Sequence, residues 1–278
     1  MSSTQSVSRA LAQSGLVPLD AQVVLAHVLA KDRAWLVAHA DEPLTREQEA
    51  AFFALAKRRR DGEPVAYLTG KREFWGLPLA VSSAVLIPRP ETETLVEASL
   101  ARLPADHEVD VLDLGTGSGA IALALAHERP RANVVAVDVE ADALAVARGN
   151  AESLKLANVR FVHSNWYTAL ADARFDVIVA NPPYVAGGDP HLVEGDLRFE
   201  PGAALTPGGD GLAALRVIIA GAPAWLKPGG HLAVEHGHDQ SDAVRELFAA
   251  AGFADVMAYR DLAGIPRVVA GKVAARSE

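Results

Sequence analysis

The sequence predicts an α/β protein, a mostly parallel sheet finished by an antiparallel pair and preceded by a small helical domain. Three observations carry this. From Val109 onward, short apolar, β-branched runs alternate with segments of helical period, a repetition that builds a parallel sheet with helices on both faces and right-handed crossovers. Near the end the alternation stops. Two strand-like runs, Ala254 to Arg260 and Arg267 to Val273, follow each other with no helix between them. Before about residue 70, apolar residues recur at helical spacing instead.

Composition sets the outer bounds. The chain has 278 residues, half of them apolar, enough to bury a large core. A net charge of -9 argues against a surface made for non-specific nucleic-acid binding, so no stable nucleic-acid partner is expected. The absence of cysteine excludes disulfides, a thiolate zinc site and a thiol nucleophile. No apolar run reaches membrane-spanning length, and the N-terminus lacks a signal-peptide core. A cytoplasmic monomer with no membrane association is the expectation.

Residues 1–70 read as the helical domain. Ser6 to Ser14 forms one helix, ended by Gly15, and Leu19 to Ala30 a second, with Pro18 near its first turn. Thr45 followed by Gln48 matches a capping box and opens a helix through Phe52, Phe53 and Leu55. That helix ends in Lys57-Arg58-Arg59-Arg60, cations that suit the negative end of its dipole; a partner-docking surface is the other reading. Residues 71–88 form a linker with a hairpin around Gly76, inside a β-like stretch from Pro64 to about Pro88. Residues 89–278 form the sheet domain. Pro90-Glu91-Thr92-Glu93 leads into a helix through Leu95 and Leu100. Strands follow at Val109–Leu114, Val134–Val139, Val159–His163 and Phe175–Ala180, with helices at Ala120–Glu128 and Ala141–Leu154. A helix from Gly211 to Leu226, a strand through Leu232 to Val234 and a helix from Ser241 to Gly252 precede the terminal pair.

Two loops carry the chemistry. Asp113-Leu114-Gly115-Thr116-Gly117-Ser118-Gly119 joins the first strand to its helix, and its glycines allow a tight turn and close backbone approach to a ligand. The pattern by itself also suits a dinucleotide. Asp138, ending the next strand, accepts from ribose hydroxyls in either case. Asp113 favours a cationic sulfonium over a pyrophosphate, which it would repel. No Gly-Lys-Ser/Thr follows, which excludes a Walker loop, and Ser118 lacks the flanking glycines of a nucleophile elbow. After the third strand, Asn165 offers an acceptor to an adenine amine and Trp166 an apolar wall. The second loop, Asn181-Pro182-Pro183-Tyr184, follows a buried strand, where open sheets bind ligands. Two prolines stiffen it and remove two donors. What remains, the Asn181 side-chain oxygen and the Pro182 carbonyl beside an aromatic ring, suits a planar –NH2 group. Arg89, held between two prolines, is expected to face this site. His236 and His238 lack a third ligand, so no metal is expected.

With these motifs in place the chain resembles the HemK/PrmC family, the S-adenosylmethionine-dependent methyltransferases of class 1 peptide chain release factors. The resemblance spans nearly the whole chain, including Pro64 to Gly70, Arg72 to Trp75, Leu86 to Glu93, Asp196 to Pro201 and Glu235-His236-Gly237. It implies a bundle like one of five helices, a hairpin linker and a Rossmann-like, seven-stranded class I methyltransferase sheet with an antiparallel C-terminal hairpin. It further implies that Gly115, Thr116, Gly117, Ser118, Gly119, Asp113, Asp138, Asn165, Trp166 and Asn181 hold S-adenosyl-L-methionine. Asn181, Pro182, Pro183 and Tyr184, with Arg89 and Arg198, would receive a glutamine in a Gly-Gly-Gln tripeptide, and Asn181, Pro182 and Tyr184 would act on it. Asn165 stands where close relatives often carry Asp. An adenine or guanine amino-methyltransferase acting on DNA or RNA is the alternative, since the –NH2 chemistry would be the same.

Overall fold

The computed structural model describes residues 5–171 and 173–275. The chain folds as two compact units, Met1–Lys71 with Glu194–Phe199, and Arg72–Val193 with Glu200–Glu278.

The first unit holds five helices among the described residues: α1 (Val7–Gln13), α2 (Pro18–Leu29), α3 (Arg33–Ala38), α4 (Arg46–Arg60) and α5 (Val65–Thr69). Local chemistry sets most of their ends. Pro18 takes the first-turn position of α2. The capping box of α4 forms in full, with Thr45 N–H donating to Gln48 Oε1 at 2.8 Å and Gln48 N–H to Thr45 Oγ1 at 3.2 Å. Val7, Val24, Leu25, Leu36, Phe52 and Leu68 close the core. The basic run at the end of α4 is committed within this unit. Lys57 pairs with Asp61, Arg58 with Glu63, and Arg59 with both Asp20 and Asp196, while Arg60 donates to the Ser14 carbonyl.

Two elements here depart from the sequence reading. Val65–Thr69 is a helical turn and not the start of a β-like stretch: Leu68 is drawn into the helical core, and Gly70 caps the turn at φ 70°. The α3 helix was not foreseen. Asp32 caps it by accepting from Trp35 N–H at 2.7 Å.

From Arg72 the second unit opens with a hairpin formed by β1 (Lys71–Phe74) and β2 (Leu77–Ala80). Its turn residues Trp75 and Gly76 both hold positive φ, 54° and 71°, as two-residue hairpin turns of the primed type require. Then come α6 (Glu93–Leu100), β3 (Val109–Leu114), α7 (Ala120–Glu128), β4 (Ala132–Asp138), α8 (Ala141–Leu154), β5 (Val159–His163) and β6 (Phe175–Ala180). The unit finishes with α9 (Gly202–Leu205), α10 (Ala213–Gly221), β7 (Leu226–Glu235), α11 (Ser241–Ala250), β8 (Ala254–Arg260) and β9 (Pro266–Lys272). The helix expected from Gly211 to Leu226 is therefore shorter. Pro223 cannot continue an α-helical ladder, and a three-residue 3-10 turn, Ala222–Ala224, leads into β7. The second strand of the sheet starts at Ala132, two residues before the sequence placed it.

The seven strands run in the order β5-β4-β3-β6-β7-β9-β8. The β3, β4, β5, β6 and β7 pairings are parallel, and β9 pairs antiparallel with both β7 and β8. This is the class I methyltransferase sheet. Alternate residues feed opposite faces, as the period of two demands: Val111, Val177 and Val179 belong to one apolar cluster, and Leu112, Leu114, Ile178 and Ala180 to the other. The strand order reverses beside β3, the switch point where such sheets bind ligands. Register then brings three loops together, because Leu114 lies beside both Val137 and Ala180, and Ala180 beside Val234.

Asn150, buried on α8, fastens the hairpin to the loop after β3. Its Oδ1 accepts from Ala80 N–H at 2.7 Å, and its Nδ2 donates to the carbonyls of Ala80 at 3.0 Å and Ser118 at 2.9 Å. Alanine at 150 would strand the buried Ser118 carbonyl, while the backbone groups of exposed Ala80 could turn to water. Since a buried unsatisfied group costs about 1–3 kcal/mol, Asn150→Ala is expected to lose about 1–3 kcal/mol in urea unfolding; a loss below about 0.5 kcal/mol would mean that water replaces the side chain throughout.

Candidate active site

The loops after β3, β4, β5 and β6 line a cavity of about 430 Å³ within the second unit, ample for a small-molecule ligand. Gly115, Gly117 and Gly119 hold φ of 74°, 55° and 85°. Gly119 is also a point of close packing, since a Cβ there would lie 3.0 Å from Leu123 and 3.2 Å from Ala147. Asp138 clamps the loop from the neighbouring strand: Oδ2 accepts from Gly117 N–H at 2.8 Å and Oδ1 from Glu140 N–H at 3.0 Å. Each oxygen keeps a lone pair for a further donor.

Asp113 sits behind the loop, fully buried. Its Oδ2 accepts from Thr116 Oγ1 at 2.6 Å, while Oδ1 meets no hydrogen-bond partner in good geometry among the described residues. Trp166 takes a left-handed backbone, φ 50°, with its carbonyl accepting from Ser164 Oγ at 2.8 Å. Its ring comes within 3.4 Å of where a Cβ on Gly115 would stand. Asn165 is exposed at the rim.

Of the residues marked in the sequence, Gly115, Thr116, Gly117, Ser118, Asp138, Asn165, Trp166, Asn181, Pro183 and Arg89 line the cavity. Asp113 and Gly119 support it from behind. Pro182 is buried, and the Tyr184 ring packs against the apolar cluster that includes Leu232 and Val244. Arg198 belongs to the first unit, donating to the Asp61 carbonyl and lying over the Phe199 ring.

The Asn181 amide nitrogen donates to Thr92 Oγ1 at 3.2 Å, which leaves Oδ1 as the carboxamide's acceptor end. The Tyr184 hydroxyl donates to Glu235 Oε1 at 3.0 Å. Arg89 is held by Glu200, whose side chain is wholly buried and whose other oxygen accepts from Ile87 N–H at 3.0 Å. Thr92, Glu200 and Glu235 were missed as site residues. All three lie inside the motifs that carry the resemblance, but neither a threonine before a helix nor a lone acid next to a strand or proline gives a sign of its partner.

The electrostatics are dominated by burial. Desolvation pushes the Asp113 carboxyl up to about 7, against the opposing bond from Thr116, and pushes Glu235 up to about 7, against Thr92, Tyr184 and Arg267. The Tyr184 hydroxyl is driven far above its ordinary value, first by burial and then by the Glu235 charge. Both carboxyls titrate higher folded than unfolded. Their contribution to stability is therefore full below about pH 4 and is lost as pH rises through 7. Each carries an ionisation penalty on the order of a few kcal/mol above that point. The melting temperature of the ligand-free chain is expected to fall between about pH 5 and 7 and to level off above that, and Asp113→Asn should flatten that fall; an unchanged slope would show that Asp113 ionises freely inside the fold.

These residues fit S-adenosylmethionine. Asp138 keeps two acceptor positions for vicinal hydroxyls, Trp166 and Ile121 offer apolar surface to a base, and Asp138, Glu140 and Asp142 line the wall. That wall would repel a pyrophosphate and suits a sulfonium. Fold and cradle together define an S-adenosylmethionine-dependent methyltransferase.

The comparisons with known proteins carry this further. Residues 92–212 match the methyltransferase small domain, and residues 4–70 the PrmC N-terminal domain. The release factor glutamine methyltransferase of Xylella fastidiosa (strain Temecula1) is 54% identical over 254 residues, 91% of this chain and 92% of that protein. The Burkholderia pseudomallei protein of the same name is 52% identical over 269 residues, 95% and 94% of the two chains. Among solved structures, the 16S rRNA N2 G1207 methyltransferase of T. thermophilus, in complex with AdoMet and guanosine, aligns with a TM-score of 0.53 at 26% identity, covering 73% of this chain and 49% of that one. The chain belongs to the family of release factor glutamine methyltransferases. Among the described residues, no group of three His, Cys, Asp or Glu could hold a metal ion, and no helix is long and apolar enough to cross a membrane.

Proposed function

We propose that the chain methylates the side-chain amide nitrogen, N5, of the glutamine in the Gly-Gly-Gln motif of class 1 peptide chain release factors, and so modulates translation termination. It would do so as a cytoplasmic monomer without stably bound nucleic acid. The observation that carries the reading is the 54% identity to a relative of that name across 91% of the chain. The chemistry at Asn181 agrees with it.

S-adenosylmethionine, held by Gly115 to Gly119, Asp138 and Trp166 with Asn165 at the rim, supplies an electrophilic methyl group. The protein's task is to present a poor nucleophile, since an amide lone pair is delocalised into its carbonyl. Asn181 Oδ1 and the Pro182 carbonyl accept the two hydrogens of the substrate –NH2 and fix the direction of its nitrogen. Pro182 and Pro183 keep that pair of acceptors rigid. As the nitrogen pyramidalises, its hydrogens become more acidic and both bonds strengthen, so they favour the transition state over the ground state. The methyl–sulfur bond would break to leave neutral S-adenosylhomocysteine, and the alkylated nitrogen would release one proton to solvent. Orientation and exclusion of water then supply most of the acceleration. Arg89, its charge balanced by Glu200, would offer guanidinium donors at the cavity wall.

The test is a comparison of acceptors. A purified class 1 release factor should take up label from methyl-labelled S-adenosylmethionine, and its variant with Asn in place of the Gly-Gly-Gln glutamine should not. Equal labelling of the two would place the methyl group elsewhere. Transfer to total RNA instead would move the chain toward the nucleic-acid amines that its T. thermophilus structural neighbour acts on.

A further inference from the structure

Glu235 ends β7 one residue past Val234, which pairs with Ala180, so strand register sets it beside Asn181. It is 1% exposed. Its Oε1 takes the Tyr184 hydroxyl, and its Oε2 is buried with no hydrogen-bond partner among the described residues. The Thr92 hydroxyl acts on the same carboxyl and favours its charged form. Thr92 itself is 4% exposed and receives the Asn181 amide nitrogen at 3.2 Å. A hydroxyl that accepts from Asn181 must still place its own proton, and the Glu235 carboxylate, present above about pH 7, offers the unpartnered Oε2 as an acceptor.

We propose that Glu235 is a positioning residue for the methyl-transfer reaction: its carboxylate draws the Thr92 proton inward, so that Thr92 can only accept from Asn181 Nδ2 and the Asn181 carboxamide turns its Oδ1 toward the substrate. The same carboxylate steadies Tyr184 through Oε1. The inference rests on the amide-methylation reading, which needs an acceptor and not a donor at Asn181. A carboxamide has no intrinsic preference between its two ends, so its sense must be imposed by its neighbours, and Glu235 lies at the closed end of that chain. Glu91 and Arg267 are the other charged groups acting on it, with opposite signs.

Glu235→Gln keeps the shape and adds a donor, which lets the Thr92 hydroxyl turn round. Turnover is expected to fall about tenfold or more, with the affinity for S-adenosylmethionine within about twofold. In an Asn181→Ala background the same change is expected to cost nothing further, because its effect runs through Asn181. Thr92→Ser should keep activity within about threefold, and Thr92→Val should lose as much as Glu235→Gln. Wild-type turnover in Glu235→Gln, or an undiminished loss in the Asn181→Ala background, would overturn the proposal. A reading that needs no substrate guards against failure of the activity assignment. The Asn181 side-chain amide resonances of ¹⁵N-labelled protein should move in Thr92→Val and, where it folds, in Glu235→Gln. If Thr92→Val leaves them in place the relay is absent, whatever the enzyme methylates.

Discussion

Asn181→Ala is expected to lower kcat about 100-fold or more while leaving the affinity for S-adenosylmethionine nearly unchanged. Removal of one preorganised polar contact to a reacting group costs on that scale. The side chain enters the cavity wall from the end of β6, and its nitrogen is already committed to Thr92. Its contribution is therefore one directed acceptor. The proposed cradle for the methyl donor is made by other groups, the loop after β3 and Asp138, and would stay whole. Single-turnover kinetics beside calorimetric titration of the donor would separate the two effects. Turnover within a fewfold of wild type would remove Asn181 from the mechanism.

Asp138→Ala should act in the opposite way, weakening S-adenosylmethionine binding about 100-fold or more. One carboxylate does three things here. It closes the glycine loop through Gly117 N–H, fixes the start of α8 through Glu140 N–H, and leaves two lone pairs on the cavity side. Hydrogen bonds to charged groups contribute about 1.5–3 kcal/mol each, so losing a ligand contact together with the loop clamp accounts for the loss. Asp138→Asn should fall between the two, because its amide nitrogen cannot accept from Gly117. Titration of the donor into each variant decides it, and a binding constant unchanged in Asp138→Ala would mean that the loop holds its ligand without this strand.

The elements legible in the sequence were those whose cause is local. The capping box at Thr45 and Gln48, the Trp75-Gly76 turn and the period of the sheet strands each follow from neighbouring residues, and each forms. The terminal antiparallel pair was legible because no helix separates its strands. Val65–Thr69 was misread because Val65, Tyr67 and Thr69 favour strands locally, whereas burial of Leu68 among helices decides the outcome. The α10 helix was drawn too long because its apolar run continues past Pro223 into a strand.

At the site, the glycine loop, Asp138 and the Asn181 loop could be marked because backbone conformation and donor counts confine them. The residues behind them could not. Thr92, Glu200 and Glu235 lie 89, 111 and 51 positions from the residues they hold, Asn181, Arg89 and Tyr184. Only the folded register brings them into contact. Asn150, which ties α8 to the hairpin and to Ser118, was invisible for the same reason.

The most direct test is the position of the transferred methyl group. The chain is incubated with methyl-labelled S-adenosylmethionine, purified release factor and total RNA in one vessel, and the labelled residue is mapped by peptide mass spectrometry and nucleoside digestion. Label on the side-chain nitrogen of a single glutamine, abolished by Asn181→Ala, is the expected result. Label on a purine amine with none on protein would contradict the account.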